Sequence, residues 1–134
     1  FLKTNSEVNE FMNAIDIDLS GLSGAEGWNL PAFNATALGK WSVVLNATSH
    51  KDWATPENSL LVEPNGTVPS ADGRFFHQGS DFNQGVFYTF DEDAVIAKMK
   101  EAEAICKTEN TKGLELQESF SYSNTLDKIL ARIN

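Results

Sequence analysis

The chain has 134 residues, enough for one small domain, and 41% of them are apolar, which excludes global disorder. Its formal charge of −9 argues against a nucleic-acid-binding surface and an anionic membrane, since both present repelling phosphates. The single Cys106 cannot form an internal disulfide, so a reduced, cytoplasmic setting is the simpler expectation.

The opening residues, FLKTNSEVNEF, lack both the apolar centre of a signal peptide and an initiator Met, so a fragment or trimmed chain is expected. No apolar run approaches membrane-spanning length. Thr4 and Glu7 have capping-box spacing, and Val8, Phe11, Met12 and Ile15 follow a helical stripe, which predicts a helix over 6–14. AIDIDLS then alternates Ile15, Ile17 and Leu19 with Asp16 and Asp18. That pattern predicts a strand with one covered face and the acids turned to solvent or to a neighbouring strand's end.

After the loop GLSGAEG comes AEGWNLPAFNATALGK. Gly27 permits a tight turn, Asn29 can cap a helix, and Pro31 suits the first turn, where its missing N–H costs little. A mostly buried helix is expected from Leu30 to about Gly39, polar only at Asn34 and Thr36. WSVVLNA (41–47) and NSLLVEP (58–64) read as short strands on either side of a polar segment. Helix, strand, helix, strand, loop, strand in that order predicts α/β crossovers and a parallel sheet.

Residues 65–84 are rich in Gly, Pro, Asp and Asn, and read as a long irregular loop whose Phe75, Phe76 and Phe82 pack down. GVFYTF (85–90) is a plausible edge strand. Asp91 caps a helix through Cys106, with Val95, Ile96, Met99, Ala102 and Cys106 on its apolar side and acids in its first turn. Residues 108–122 read as a connection. Ser123 or Asn124 then caps a last helix with the stripe Leu126, Ile129, Leu130 and Ile133. There is no internal repeat and no second domain.

The chemistry concentrates where the Ala25–Lys40 helix begins. A helix start presents unpaired N–H groups and a partial positive charge, which suits phosphate. The amides of Gly27, Trp28, Asn29 and Leu30 are the candidate donors; Pro31 has none. Glu26 sits just outside and would repel phosphate itself. It fits a guest with neutral hydroxyls beside its phosphates, as in a nucleotide sugar. A capped, buried helix after any Glu-Gly turn gives the same pattern without a ligand. His50 follows the carboxyl end of a strand, where open α/β sheets keep their ligands, so it is either a donor-side contact or an ordinary loop histidine. His50, Lys51, Asp52 and His77 match no zinc spacing, and no metal site is expected. Trp28, Trp41 and Trp53 read as packing residues, with Trp28 also placed to wall a sugar. The three sequons at Asn34, Asn46 and Asn65 read as coincidence.

GAEGWNLPAFNATALGKWSVVLNATSHKDW resembles the donor-site segment of the GT4-type retaining glycosyltransferases, which have the GT-B fold. That pattern is an acid, then Gly-aromatic-x-Leu-Pro, a second acid within the helix, and a strand. SEVNEFMNAIDIDLS resembles the family's helix-and-strand lead-in, ENSLLVEP its next strand, and Ser119–Ile133 its C-terminal helix. Residues 65–84 read as an insertion. The resemblance implies the second half of a Rossmann-like domain, a partial parallel sheet with flanking helices that binds a nucleotide-diphosphate sugar as donor and needs no other cofactor. It further implies that Glu26 contacts sugar hydroxyls, that the Gly27–Leu30 backbone lies against sugar and diphosphate, and that Asn34 stands where the family has an acid on the ribose. The asparagine departs from that pattern and brings no charge. The family's N-terminal acceptor domain and its basic pair are absent, and Lys40, Lys51 and Arg74 do not match that pair. This chain alone is therefore not expected to transfer a hexosyl unit. Completion by a missing half is one expectation. Self-association of a non-catalytic or decayed module through its open sheet edge is the other.

Overall fold

The computed structural model describes residues 2–82 and 84–133. Helix α1 (Asn5–Ala14) carries the expected capping box: the Thr4 hydroxyl accepts from the Glu7 amide, and the Glu7 carboxylate accepts from the Thr4 amide. Strand β1 (Ile17–Gly21), helix α2 (Leu30–Ala37), strand β2 (Trp41–Leu45), a 3₁₀ turn (Thr48–Asp52) and strand β3 (Leu60–Val62) follow. The three strands form a parallel sheet in the order β1-β2-β3, flanked by helices. The chain is thus α/β, compatible with a Rossmann-like arrangement.

β2 is central, and Ser42 to Leu45 are all buried, because both faces of a parallel sheet are covered. Val43 and Leu45 meet Leu60, Val62 and helix α3 (Glu92–Ile105) through Val95 and Ala102. Val44 faces the other way, toward Ala32, Ala37, Trp53 and Leu116. Leu116 belongs to helix α4 (Thr111–Ser119), which packs beside α2.

This coverage corrects the expectation for β1. Asp18 is buried, not solvated, because α2 lies over its side of the strand. Its carboxylate accepts from the Ser20 hydroxyl at 2.9 Å and the Ser20 amide at 3.2 Å. Burial pushes its pKa up, and the Ser20 bonds pull against that shift. Leu19, expected under cover, is exposed, because α3 packs chiefly on β2 and β3. The same geometry corrects α3. Val95 and Ala102, seven residues apart, share the buried side, whereas Ile96 and Met99 rotate off it into solvent. Cys106 ends that helix half-buried, its thiol donating to the Glu103 carbonyl.

The expected connection over 108–122 contains α4 instead. Asn110 caps it and is buried: its oxygen accepts from the Gly113 amide at 2.8 Å, and its nitrogen donates to the carbonyls of Lys40 at 2.9 Å and Asn58 at 2.8 Å. Gly113 lies so close to the Thr36 carbonyl that a side chain there would collide with α2. The expected irregular stretch over 65–84 is corrected at its start, while residues 70–82 and 84 carry no helix or strand. Strand β4 (Pro64–Pro69) pairs antiparallel with β5 (Val86–Phe90) in a separate two-stranded ribbon, so β5 is not an edge of the parallel sheet. Phe75 and Phe82 do not pack down; they are 73% and 71% exposed. The Asp72 carboxylate gathers the amides of Arg74, Phe75 and Phe76, so the turn is satisfied locally without burying the rings.

The last helix, α5 (Tyr122–Ile133), starts earlier than expected. Ser121, not Ser123 or Asn124, supplies the hydroxyl that accepts from the Asn124 amide. None of its described residues is buried, and its apolar stripe is exposed. Among the described residues, no helix is long and apolar enough to cross a membrane.

Candidate functional site at the start of helix α2

The loop from β1 to α2 leaves the carboxyl end of the sheet, and four contacts fix it. The Tyr88 amide of β5 donates to the Gly24 carbonyl at 3.0 Å. The Ser49 hydroxyl donates to the Glu26 carbonyl at 3.1 Å, and the Trp53 indole N–H donates to the Trp28 carbonyl at 3.1 Å. The fourth contact is Asn29, which sits at φ 61° and caps α2 by accepting from the Ala32 amide. Gly24 has to be glycine, since a Cβ there would run into the Tyr88 carbonyl.

Asn29 is buried, and its nitrogen donates to the Ser20 carbonyl at 2.7 Å and to His50 Nε2 at 3.2 Å. His50 Nδ1 in turn lies 2.9 Å from the Leu45 carbonyl. An amide donor on Nε2 and a carbonyl on Nδ1 fix one neutral tautomer, protonated at Nδ1. Burial lowers the histidine's pKa, while the Leu45 bond and the charge of Glu26 act in the opposite direction. His50 is completely buried, which corrects the expectation of a donor-side contact: it braces the loop from beneath. The expectation that Asn29 caps the helix holds, and its side chain is fully engaged in doing so.

Trp28, Phe33, Trp53 and Phe120 form a cluster of tilted and edge-on rings with centroids 5.3 to 5.6 Å apart. Trp53 is buried and Trp41 half-buried, its N–H on the Thr108 carbonyl, so both act in packing. Trp28 packs as well, with one side still accessible.

The outer side of the loop is open. Among the described residues, none accepts from the amides of Gly27, Trp28, Asn29 or Leu30. Nothing lies within 4 Å of where a Cβ on Gly27 would stand. Glu26 is half-buried, and its carboxylate takes no hydrogen bond from a described residue. Asn34 is exposed one turn behind Leu30, on the same face of α2.

Sequence reasoning missed Thr48. It follows β2 by three residues, adopts φ 53°, and keeps its hydroxyl oxygen buried without a partner. A β-branched residue in that region is strained, and strain of this kind gathers at functional positions. Nothing in the local sequence signals it. Of the basic residues named from the sequence, Lys51 is exposed in the 3₁₀ turn beside Ser49 and His50, and the other two stand farther off. Lys40 bonds the Asn13 carbonyl beyond the far end of α2, and Arg74 lies over the Phe75 ring. No group of three or more His, Cys, Asp or Glu among the described residues can hold a metal.

The chain matches no protein-family model, and no curated protein matches it.

Proposed function

We propose that this chain is the donor-binding portion of a glycosyltransferase that uses a nucleotide-diphosphate sugar. The observation that carries the reading is the run of four unpaired amides, Gly27 to Leu30, beside the unbonded carboxylate of Glu26 at the carboxyl end of a parallel sheet. Amides at a helix start favour the diphosphate. A carboxylate next to them suits sugar hydroxyls, which are neutral donors. The strained Thr48 lies just past the carboxyl end of β2, and Asn34 offers a neutral, exposed amide on the side of α2 that borders α1 and α4. Without the basic pair of the resembled family, the site suits holding a donor more than stabilising a departing diphosphate, so transfer awaits a second, basic half.

Calorimetry with a panel of uridine-, guanosine- and adenosine-diphosphate sugars tests this reading. Glu26→Gln is expected to weaken nucleotide-sugar binding about tenfold, the loss of one charged hydrogen bond, while the free nucleoside diphosphate, relieved of a repelling charge, binds no more weakly than before. Failure to bind, both by the chain and by the chain joined to a nucleotide-binding N-terminal half, overturns it.

A further inference from the structure

The chain contains one Asn-Gly pair, Asn65-Gly66, and one Asp-Gly pair, Asp72-Gly73; the first lies in β4 and the second in the turn at the tip of the β4–β5 ribbon. Glycine matters after such a side chain because it has no Cβ to keep its backbone nitrogen away from the preceding Cγ. A five-membered ring can then close between the two atoms, one reason asparagine is a thermolabile residue. The structure treats the two pairs in opposite ways. At Asp72 the ring is blocked. Its carboxylate accepts the amides of Phe76, Arg74 and Phe75, and those bonds hold the carboxyl below its ordinary pKa, so it stays ionised and is a poor electrophile. The Gly73 amide, which would have to attack it, donates instead to the Phe76 carbonyl at 3.0 Å.

Asn65 has the reverse surroundings. Pro64 faces Phe90 and Gly66 faces Thr89, so β4 advances two residues where β5 advances one. Asn65 is the extra residue of a bulge, where the ladder is locally broken. It is exposed, and its side-chain nitrogen has no acceptor among the described residues. Its side-chain oxygen has one partner: the Thr89 hydroxyl donates to it at 2.7 Å. A donor there polarises the carbonyl and stabilises the negative charge that gathers on the oxygen when Cγ is attacked. Thr89 is also close to the attacking residue, since a Cβ on Gly66 would stand 3.3 Å from its Oγ1. Every other described asparagine is followed by a residue that carries a Cβ, and Asn29, Asn58 and Asn110 are buried as well.

We propose that Asn65 is a site of self-modification: the Gly66 nitrogen closes on Asn65 Cγ, assisted by the Thr89 hydroxyl, and the asparagine becomes first a cyclic imide and then aspartate or isoaspartate. The Gly66 N–H gives its proton to water or hydroxide as the N–Cγ bond forms. The Cγ–Nδ2 bond then breaks, and the nitrogen takes up a proton and leaves as ammonia. Water opens the ring. Entry at Cγ yields aspartate; entry at the main-chain carbonyl of residue 65 yields isoaspartate, whose backbone runs through the former side chain. Either product adds one negative charge to the chain's −9. The isoaspartate form also lengthens β4 by one carbon where it pairs with β5, and β5 holds the candidate-site loop through the Tyr88 amide on the Gly24 carbonyl. The inference is independent of the nucleotide-sugar reading.

The test is to incubate the full chain in mildly alkaline buffer, folded and in denaturant, with far-UV circular dichroism to confirm the fold. Peptide mass mapping reads a gain of about 1 Da per conversion, and enzymatic labelling reads isoaspartate. In the folded chain, conversion is expected at residue 65 and not at residue 72. Thr89→Val keeps a β-branched side chain in β5 and is expected to slow the folded chain about fivefold, the worth of one hydrogen bond in the transition state. In denaturant the same variant is expected to match the parent, because the Thr89 contact exists only in the fold. Thr89→Ser retains the hydroxyl and is expected to stay near the parent's rate, which separates the hydrogen bond from any loosening of the ribbon. An Asn65 that stays intact in the folded chain while it converts in denaturant overturns the inference, since the ribbon then protects the pair. So does a folded Thr89→Val chain that converts as fast as the parent, or isoaspartate that accumulates at residue 72 as fast as at residue 65.

Discussion

Two turns in this protein are organised by a single short polar side chain, one under α2 and one at the tip of the β4–β5 ribbon. Asn29 accepts from Ala32 at 3.3 Å and donates at 2.7 and 3.2 Å; Asp72 accepts three amides at 2.8, 2.8 and 2.9 Å. By bond length the exposed turn is the better made. Energetically the order reverses, because water replaces any bond lost at Asp72 and cannot reach His50 or Ala32, two of the three partners of Asn29. Burial, not the count or length of bonds, decides which turn the fold depends on.

The largest effect expected from this contrast is at His50. Replacing it by alanine empties a fully buried site against Trp53 and removes one of the two bonds at the Leu45 carbonyl, which keeps the Ala47 amide, and one of the two at the Asn29 nitrogen, which keeps the Ser20 carbonyl. A loss of about 3 kcal/mol is expected, read as a fall of about 10 °C in the thermal midpoint. A drop as small as that of a surface substitution would break the comparison.

A smaller effect is expected from acid. Burial holds His50 below the ordinary histidine value of 6.5, so the unfolded chain binds more protons in the window from 6.5 down to the folded value. The contribution of His50 is complete above pH 6.5 and falls as pH drops through that window. Asp18 acts with the opposite sign and in a more acidic range. Its carboxyl is raised above 3.8, so its contribution is complete below 3.8 and declines as pH rises toward the folded value. Thermal midpoints between pH 7 and 5, compared for the parent and for His50→Gln, should show the slope in the parent and a flatter line in the variant.

The smallest effect belongs to the ribbon tip. Asp72→Ala and Phe75→Ser are expected to leave the midpoint where it is, while hydrogen exchange of the amides at Arg74, Phe75 and Phe76 accelerates. A large global loss from either change would show that the tip packs on something after all.

The same contrast explains what was legible in the sequence. The Thr4–Glu7 box, the β-branched run of β2 and the Asp91 cap are local signals, and each appears where it was expected. α4 was hidden because Gly113 reads as a breaker, yet it is there to let the helix approach the Thr36 carbonyl of α2. β4 was hidden because Asn65, Gly66 and two prolines read as turn, and only pairing with β5 makes them a strand. The stripe on α5 was legible; its direction was not, because direction is set by contacts with α4. At the candidate site, Glu26 and the Gly27–Leu30 backbone were legible as a pattern, and those four amides have no acceptor among the described residues. The inward role of His50 and the strain at Thr48 arise from tertiary packing that no local sequence records.

Asn110 has a mechanical consequence. It joins the entrance of β2, the approach to β3 and the first turn of α4 through three bonds made by one side chain. The amino-terminal rim of the sheet is therefore clamped at a point remote from Glu26 and the opening of α2. Whatever shape change a guest demands must be absorbed by the loops on the opposite rim, which pivot on a base that does not yield.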